Sequence, residues 1–166
     1  MADSKIKSMA EILAAHPLFA GLDPEITDLL GGCATNVHFA DGAYLFKAEE
    51  PADTFYLLRG GDVALEVSMP GRGRLTVQTL HPGHVVGASW ILPPYRWRFD
   101  ARAIGSVRVT GVDATCLRGK CDADPRLGYQ VMQRFLPVVA ERLQSTRLRL
   151  LDLYAPPADV GRALSR

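Results

Sequence analysis

Arg96 and Arg98 bracket Trp97 in a stretch crowded with Trp90, Pro93, Pro94 and Tyr95. A guanidinium is a planar fork of donors suited to phosphate and carboxylate, so these residue types have anion-binding chemistry. The plainer reading is solvated surface charge, with Asp100 near enough to pair with either arginine. The rigid apolar bulk around them also has two readings: it lines a pocket, or it plugs one with the protein's own side chains. His81 and His84 are close in sequence but His38 stands alone upstream, which is too few donors for a metal centre. Cys33, Cys116 and Cys121 form an odd set without zinc-like spacing, which fits reduced thiols in a reducing compartment better than a disulfide framework. No Ser, Cys or Lys stands in a nucleophile motif, so the residues give enzyme activity no positive support.

The elements that must position these groups follow from periodicity. Ile6, Met9, Ile12 and Leu13 have helical spacing, ended by the turn-like His16-Pro17. Asp23-Pro24 supplies an N-cap and a first-turn proline, and Gly31-Gly32 ends this second short helix after Ile26, Leu29 and Leu30. Residues 34–113 change to short β-rich runs at 44–46, 54–58, 63–67 and 75–80, with two further runs at 101–103 and 107–112. Gly60-Gly61-Asp62 and Met69-Pro70-Gly71-Arg72-Gly73 read as hairpin turns, and about eight antiparallel strands are expected.

A short helical segment near residues 116–120 precedes Asp124-Pro125, which opens the longest helix, about 125–154. Its residues Met132, Leu136, Val139, Leu143, Thr146, Leu150 and Leu153 alternate steps of four and three, the spacing of a coiled-coil seam that would pair two copies. Val131, Phe135 and Val138 form a second stripe suited to the chain's own β region, and Pro137 should bend the helix. The alternative is that both stripes belong to one intramolecular core. Pro156-Pro157 should end the order and leave residues 155–166 as a loose tail.

A chain of 166 residues with 48% apolar composition can bury one core but not two, so a single α+β domain over residues 1–154 is expected. The 19 basic and 18 acidic residues nearly cancel and name no nucleic-acid or membrane partner. Charges among the first fifteen residues interrupt any signal-like apolar run, and no segment reaches membrane-spanning length. The expected location is the cytoplasm.

Several stretches, in order along the chain, resemble the cyclic-nucleotide-binding domains of the catabolite-activator and fumarate-nitrate-regulator type over about residues 13–154. Phe55-Tyr56-Leu57-Leu58-Arg59-Gly60-Gly61-Asp62-Val63 looks like that family's aromatic-aliphatic strand and glycine turn. Leu80-His81-Pro82-Gly83-His84-Val85-Val86-Gly87 is similar to the stretch entering its phosphate-binding cassette. Ala101-Arg102-Ala103 matches the small-residue strand after it, and Arg142-Leu143-Gln144-Ser145-Thr146 the helix segment whose threonine touches the base. The resemblance implies an eight-stranded β-roll, jelly-roll-like, with short N-terminal helices and a long C-terminal dimerisation helix. It implies a ligand at Val86, Gly87, Ala88, Ser89, Trp90, Arg96, Trp97, Arg98 and Thr146, with backbone N–H groups after Gly87 facing a phosphate.

Two departures matter. Ala88 stands where the family has a glutamate for the ribose hydroxyl, and Trp97 where it has the phosphate arginine, so only a one-residue shift to Arg96 or Arg98 restores that charge. Losing both charge-assisted contacts would cost roughly 3–6 kcal/mol, about two to four decades of affinity. The expected function is a non-catalytic sensor of a small anionic ligand, cyclic AMP or cyclic GMP being the candidates, that dimerises through its last helix. The alternative is a degenerate module acting without ligand as a dimeric scaffold or as a subunit regulating a protein partner. DNA binding is not expected, because Arg162 and Arg166 are too few to replace the helix-turn-helix of the family's transcription factors. A metal site is not expected either. His81-Pro82-Gly83-His84 is similar to a cupin metal motif, but the paired His-x-His and Glu are lacking upstream.

Overall fold

The computed structural model describes residues 6–155. The expected loose tail therefore lies, but for Ala155, outside the described residues. Two short helices, α1 (Met9–Ala15) and α2 (Pro24–Gly31), lead into the β region. Ser8 caps α1 by accepting from the Glu11 N–H while Glu11 returns the bond to the Ser8 N–H, a capping box that starts the helix three residues after Ile6. Ile6 itself lies outside the helix and is 95% exposed.

Six antiparallel strands follow: β1 (Ala34–Phe39), β2 (Tyr44–Phe46), β3 (Thr54–Met69), β4 (Gly73–Leu80), β5 (Val85–Val86) and β6 (Asp100–Asp113). Their main path is β1-β6-β3-β4, with β2 on β6 and β5 on β3. The antiparallel roll is as expected, but six strands replace eight. Residues 54–58 and 63–67 belong to one long strand, as do 101–103 and 107–112. Gly60-Gly61-Asp62 is not a hairpin turn. The β3–β6 register is interrupted between Leu58 and Gly60 and again between Gly60 and Asp62, so the strand bulges and continues. Gly61 is held at φ +78°, and a Cβ there would lie 2.3 Å from the Ser106 carbonyl oxygen. The turn after Met69 does form, closed by the Arg72 N–H donating to the Met69 carbonyl at 3.1 Å.

A 3-10 turn, Ser89–Ile91, lies between β5 and β6. Helices α3 (Ala114–Ala123) and α4 (Pro125–Tyr154) complete the elements of the described residues. The Asp124 carboxylate accepts from the Arg126 and Leu127 N–H groups at the start of α4. The helix runs through Pro137, and Leu127, Val131 and Phe135 are buried against the roll. Phe135 meets Phe55 edge-on at 5.1 Å and Trp90 at 5.1 Å, while Trp90 stacks on Phe55 at 4.9 Å. These three rings join β3, the 3-10 turn and α4 in one core.

The thiol expectation is corrected. Cys33 and Cys116 form a disulfide across a separation of 83 residues, leaving Cys121 free. Their spacing hides this proximity, which β1–β6 pairing creates: Ala34 lies opposite Val112, and the Asp113 N–H donates to the Cys33 carbonyl at 2.7 Å.

Candidate ligand pocket

After β5 the chain reaches Gly87 at φ +101°, where a Cβ would stand 2.4 Å from the Trp97 ring. Only glycine lets the ring lie there. Trp97 is 3% exposed and stacks on Phe46 with centroids 3.8 Å apart. It is held there by its backbone: the Trp97 N–H donates to the Glu50 carbonyl at 3.0 Å, and its carbonyl accepts from the Glu49 N–H at 2.8 Å.

Above this aromatic floor lies a cavity of about 730 Å³, between the 87–89 segment, the 92–99 segment, β4 and one face of α4. Gly87, Ala88, Ser89, Arg96, Trp97, Arg98 and Thr146 all line it. Val86 and Trp90 do not: both are buried, and Trp90 packs between Phe55 and Phe135 instead. Arg118 of α3 secures that segment, donating to the Trp90 carbonyl at 2.8 Å and lying 4.2 Å from the centre of the Tyr95 ring.

Four arginines ring the cavity, Arg96 and Arg98 from the loop and Arg142 and Arg149 from α4, with no aspartate or glutamate among its lining residues. Arg96 donates to the Glu49 carbonyl at 2.7 Å, Arg142 to the Val85 carbonyl and Arg149 to the Val77 carbonyl. Each guanidinium keeps further donors. Burial pulls the Arg142 pKa below its ordinary value, with nearby Glu141 opposing. Asp100 pairs with neither loop arginine, since it accepts from the Ala48 N–H at 2.8 Å. The Thr146 hydroxyl donates back to the Arg142 carbonyl at 2.8 Å.

Arg142 and Arg149 had no assigned role in the sequence. Their seven-residue interval is a helical repeat, and it was the available signal that both share one face with the pocket-lining Thr146. The histidine pair is occupied otherwise: His81 bonds Asp62 at 2.9 Å, and the His84 ring accepts from the His81 N–H at 2.9 Å. Among the described residues no group of three or more His, Cys, Asp or Glu side chains is arranged to hold a metal. No described helix is long and apolar enough to cross a membrane.

Comparison with known proteins agrees with this architecture. The family described as Cyclic nucleotide-binding domain matches residues 36–124. The chain is 28% identical over 145 residues to a CRP-like cAMP-activated global transcriptional regulator of Mycobacterium tuberculosis, covering 87% of this chain and 63% of that protein. It is 32% identical over 122 residues to the HTH-type transcriptional regulator Cmr of the same species, covering 72% of this chain and 47% of that one. The chain thus spans less than two thirds of these relatives. A crystal structure of a protein described as cyclic nucleotide-binding, from Geobacter metallireducens, superposes with TM-score 0.74 at 30% identity over 83% of this chain and 99% of that one. The chain belongs to the cyclic nucleotide-binding domain family.

Proposed function

We propose that this chain is a non-catalytic regulatory module that binds a small anionic ligand in the cavity above Gly87 and passes the binding event to α4. The observation that carries this reading is the ring of four arginines around one cavity whose far wall is α4. An anion bridging Arg98 on the loop and Arg142 or Arg149 on the helix would favour one helix position over another, which is the differential affinity that a switch requires. The Phe55–Trp90–Phe135 contact gives the same segment a second, apolar link to α4.

The helix also carries the seam proposed for homodimerisation. Leu136 and Leu153 are 70% and 79% exposed, while Met132 packs partly on the chain's own core. Val139, Thr146, Leu150 and Leu153 belong to both the seam and the cavity wall, so ligand and second copy would act on the same residues.

Cyclic AMP and cyclic GMP are the first ligands to test, and thermal unfolding during their titration is the measurement. Ligand at 100 times Kd should add about 2.7 kcal/mol and raise Tm by roughly 5–10 °C. Arg98→Ala should abolish the shift. The absence of any shift with these ligands or other organic anions would reject the sensor reading.

The Trp97 ring favours a second reading, since it sets a buried apolar ring, packed against Gly87 and stacked on Phe46, where the resemblance implies a phosphate-binding arginine. On that reading the module works without ligand, as a dimeric scaffold or on a protein partner. A cytoplasmic location is part of the proposal and places the Cys33–Cys116 bridge in a reducing pool where such bridges are rare. Thiol counting after rapid alkylation in cells checks it: three free thiols fit that pool, and one fits an oxidising compartment.

A further inference from the structure

Resting on the reading of this cavity as the ligand site, we infer that it takes an organic anion with an apolar alkyl or aryl body in preference to a sugar cyclic phosphate. The lining lacks the acidic partner a ribose hydroxyl would use: it holds no carboxylate, Ala88 presents a methyl group, and the Thr146 hydroxyl already donates within α4 at 2.8 Å, which leaves Gln78, Ser89 and Ser145 as the uncharged polar side chains. It offers an apolar body a great deal. Leu75, Leu92, Phe99 and Leu150 are 54%, 71%, 41% and 49% exposed, and all four face this one cavity. Large apolar side chains left open around a single concavity are what a bound apolar body would cover.

The cations are placed to match. Arg98 has no hydrogen-bond or ion-pair partner among the described residues, whereas Arg96, Arg142 and Arg149 each donate to a backbone carbonyl. The floor is the Trp97–Phe46 stack, with the Trp97 ring packed against Gly87. An anionic head would therefore be held by side chains at the rim, with its apolar body across the aromatic floor. At about 730 Å³ the cavity is of the size that encloses such a molecule.

The test is calorimetric titration with hexanoate, octanoate, decanoate and 2-naphthoate, beside cyclic AMP and the cationic control decyltrimethylammonium. Affinity should rise roughly tenfold for each two carbons added, from about 0.8 kcal/mol per buried CH₂. Decanoate should bind more tightly than cyclic AMP, and the cation should not bind. Arg98→Gln and Leu75→Asp, both at exposed positions, should each weaken decanoate by about tenfold or more. Decanoate binding that is unchanged in Leu75→Asp would place it elsewhere and overturn the inference. Cyclic AMP binding more tightly than every carboxylate, with Arg98 required, would overturn it and leave the sensor reading standing. No binding by any anion would end both.

Discussion

At Gly87 and Trp97 one side chain exists only because its neighbour has none. Gly87→Ala would meet both a left-handed backbone and ring atoms at 2.4 and 2.5 Å. The backbone cost is about 1–3 kcal/mol and overpacking adds a similar amount. Urea unfolding should show a smaller loss for the same substitution in a Trp97→Ala background, because only the backbone part then remains. His16 gives a second prediction. It is buried, its Nδ1 accepts from the Leu18 N–H at 3.2 Å, and its Nε2 has no partner in hydrogen-bonding geometry. Burial lowers its pKa from 6.5; the positive charges of His84 and Arg59 add to the shift, and the backbone groups of His84 and Leu58 oppose it. The unfolded chain then binds the proton more readily, so the stability from neutral His16 is complete above about pH 6.5 and is lost as pH falls through its lower native value. Thermal unfolding should lose more stability between pH 7 and 5 in the native protein than in His16→Gln. Of the site, Arg96, Arg98 and Gly87 were legible because the chain order that carries them is local. The inward turn of Trp90 was not, since it depends on Phe55 and Phe135 from distant elements.

Among the elements, the helices were the most legible, because caps and first-turn prolines act within a few residues: Pro24 and Pro125 both open helices where expected. The strands were less so. A glycine pair signals a turn or a bulge equally well, and only pairing with β6 along the length of β3 decides between them. Gly61→Ala should therefore cost at least 1–3 kcal/mol in chemical denaturation, the range for strained backbone, because the obstructing atom is a backbone oxygen at 2.3 Å. The Cys33–Cys116 bridge was illegible for the same reason, its ends meeting only through the sheet. Reducing it should lower stability by about 2–4 kcal/mol, given the 83-residue separation it closes, read as Tm with and without reductant.

For the whole molecule, the unpartnered stripe on α4 decides whether one copy is the working unit. Leu136, Leu143 and Leu153 are 70%, 52% and 79% exposed, more apolar surface than an isolated helix face should leave open. Sedimentation at micromolar concentration should give a dimer, and Leu143→Glu a monomer with its roll intact. If so, ligand and dimer are linked through the wall residues they share, and each should change the other's affinity by the same factor. The most direct test is to titrate isotope-labelled protein with decanoate and with cyclic AMP and follow the backbone amides by NMR. The anion that binds should perturb Gly87–Ser89, Arg96–Arg98 and the Val139–Arg149 face of α4 together, with one saturating constant. Saturable perturbations that leave both arginine-bearing walls untouched, or none with either anion, would contradict it.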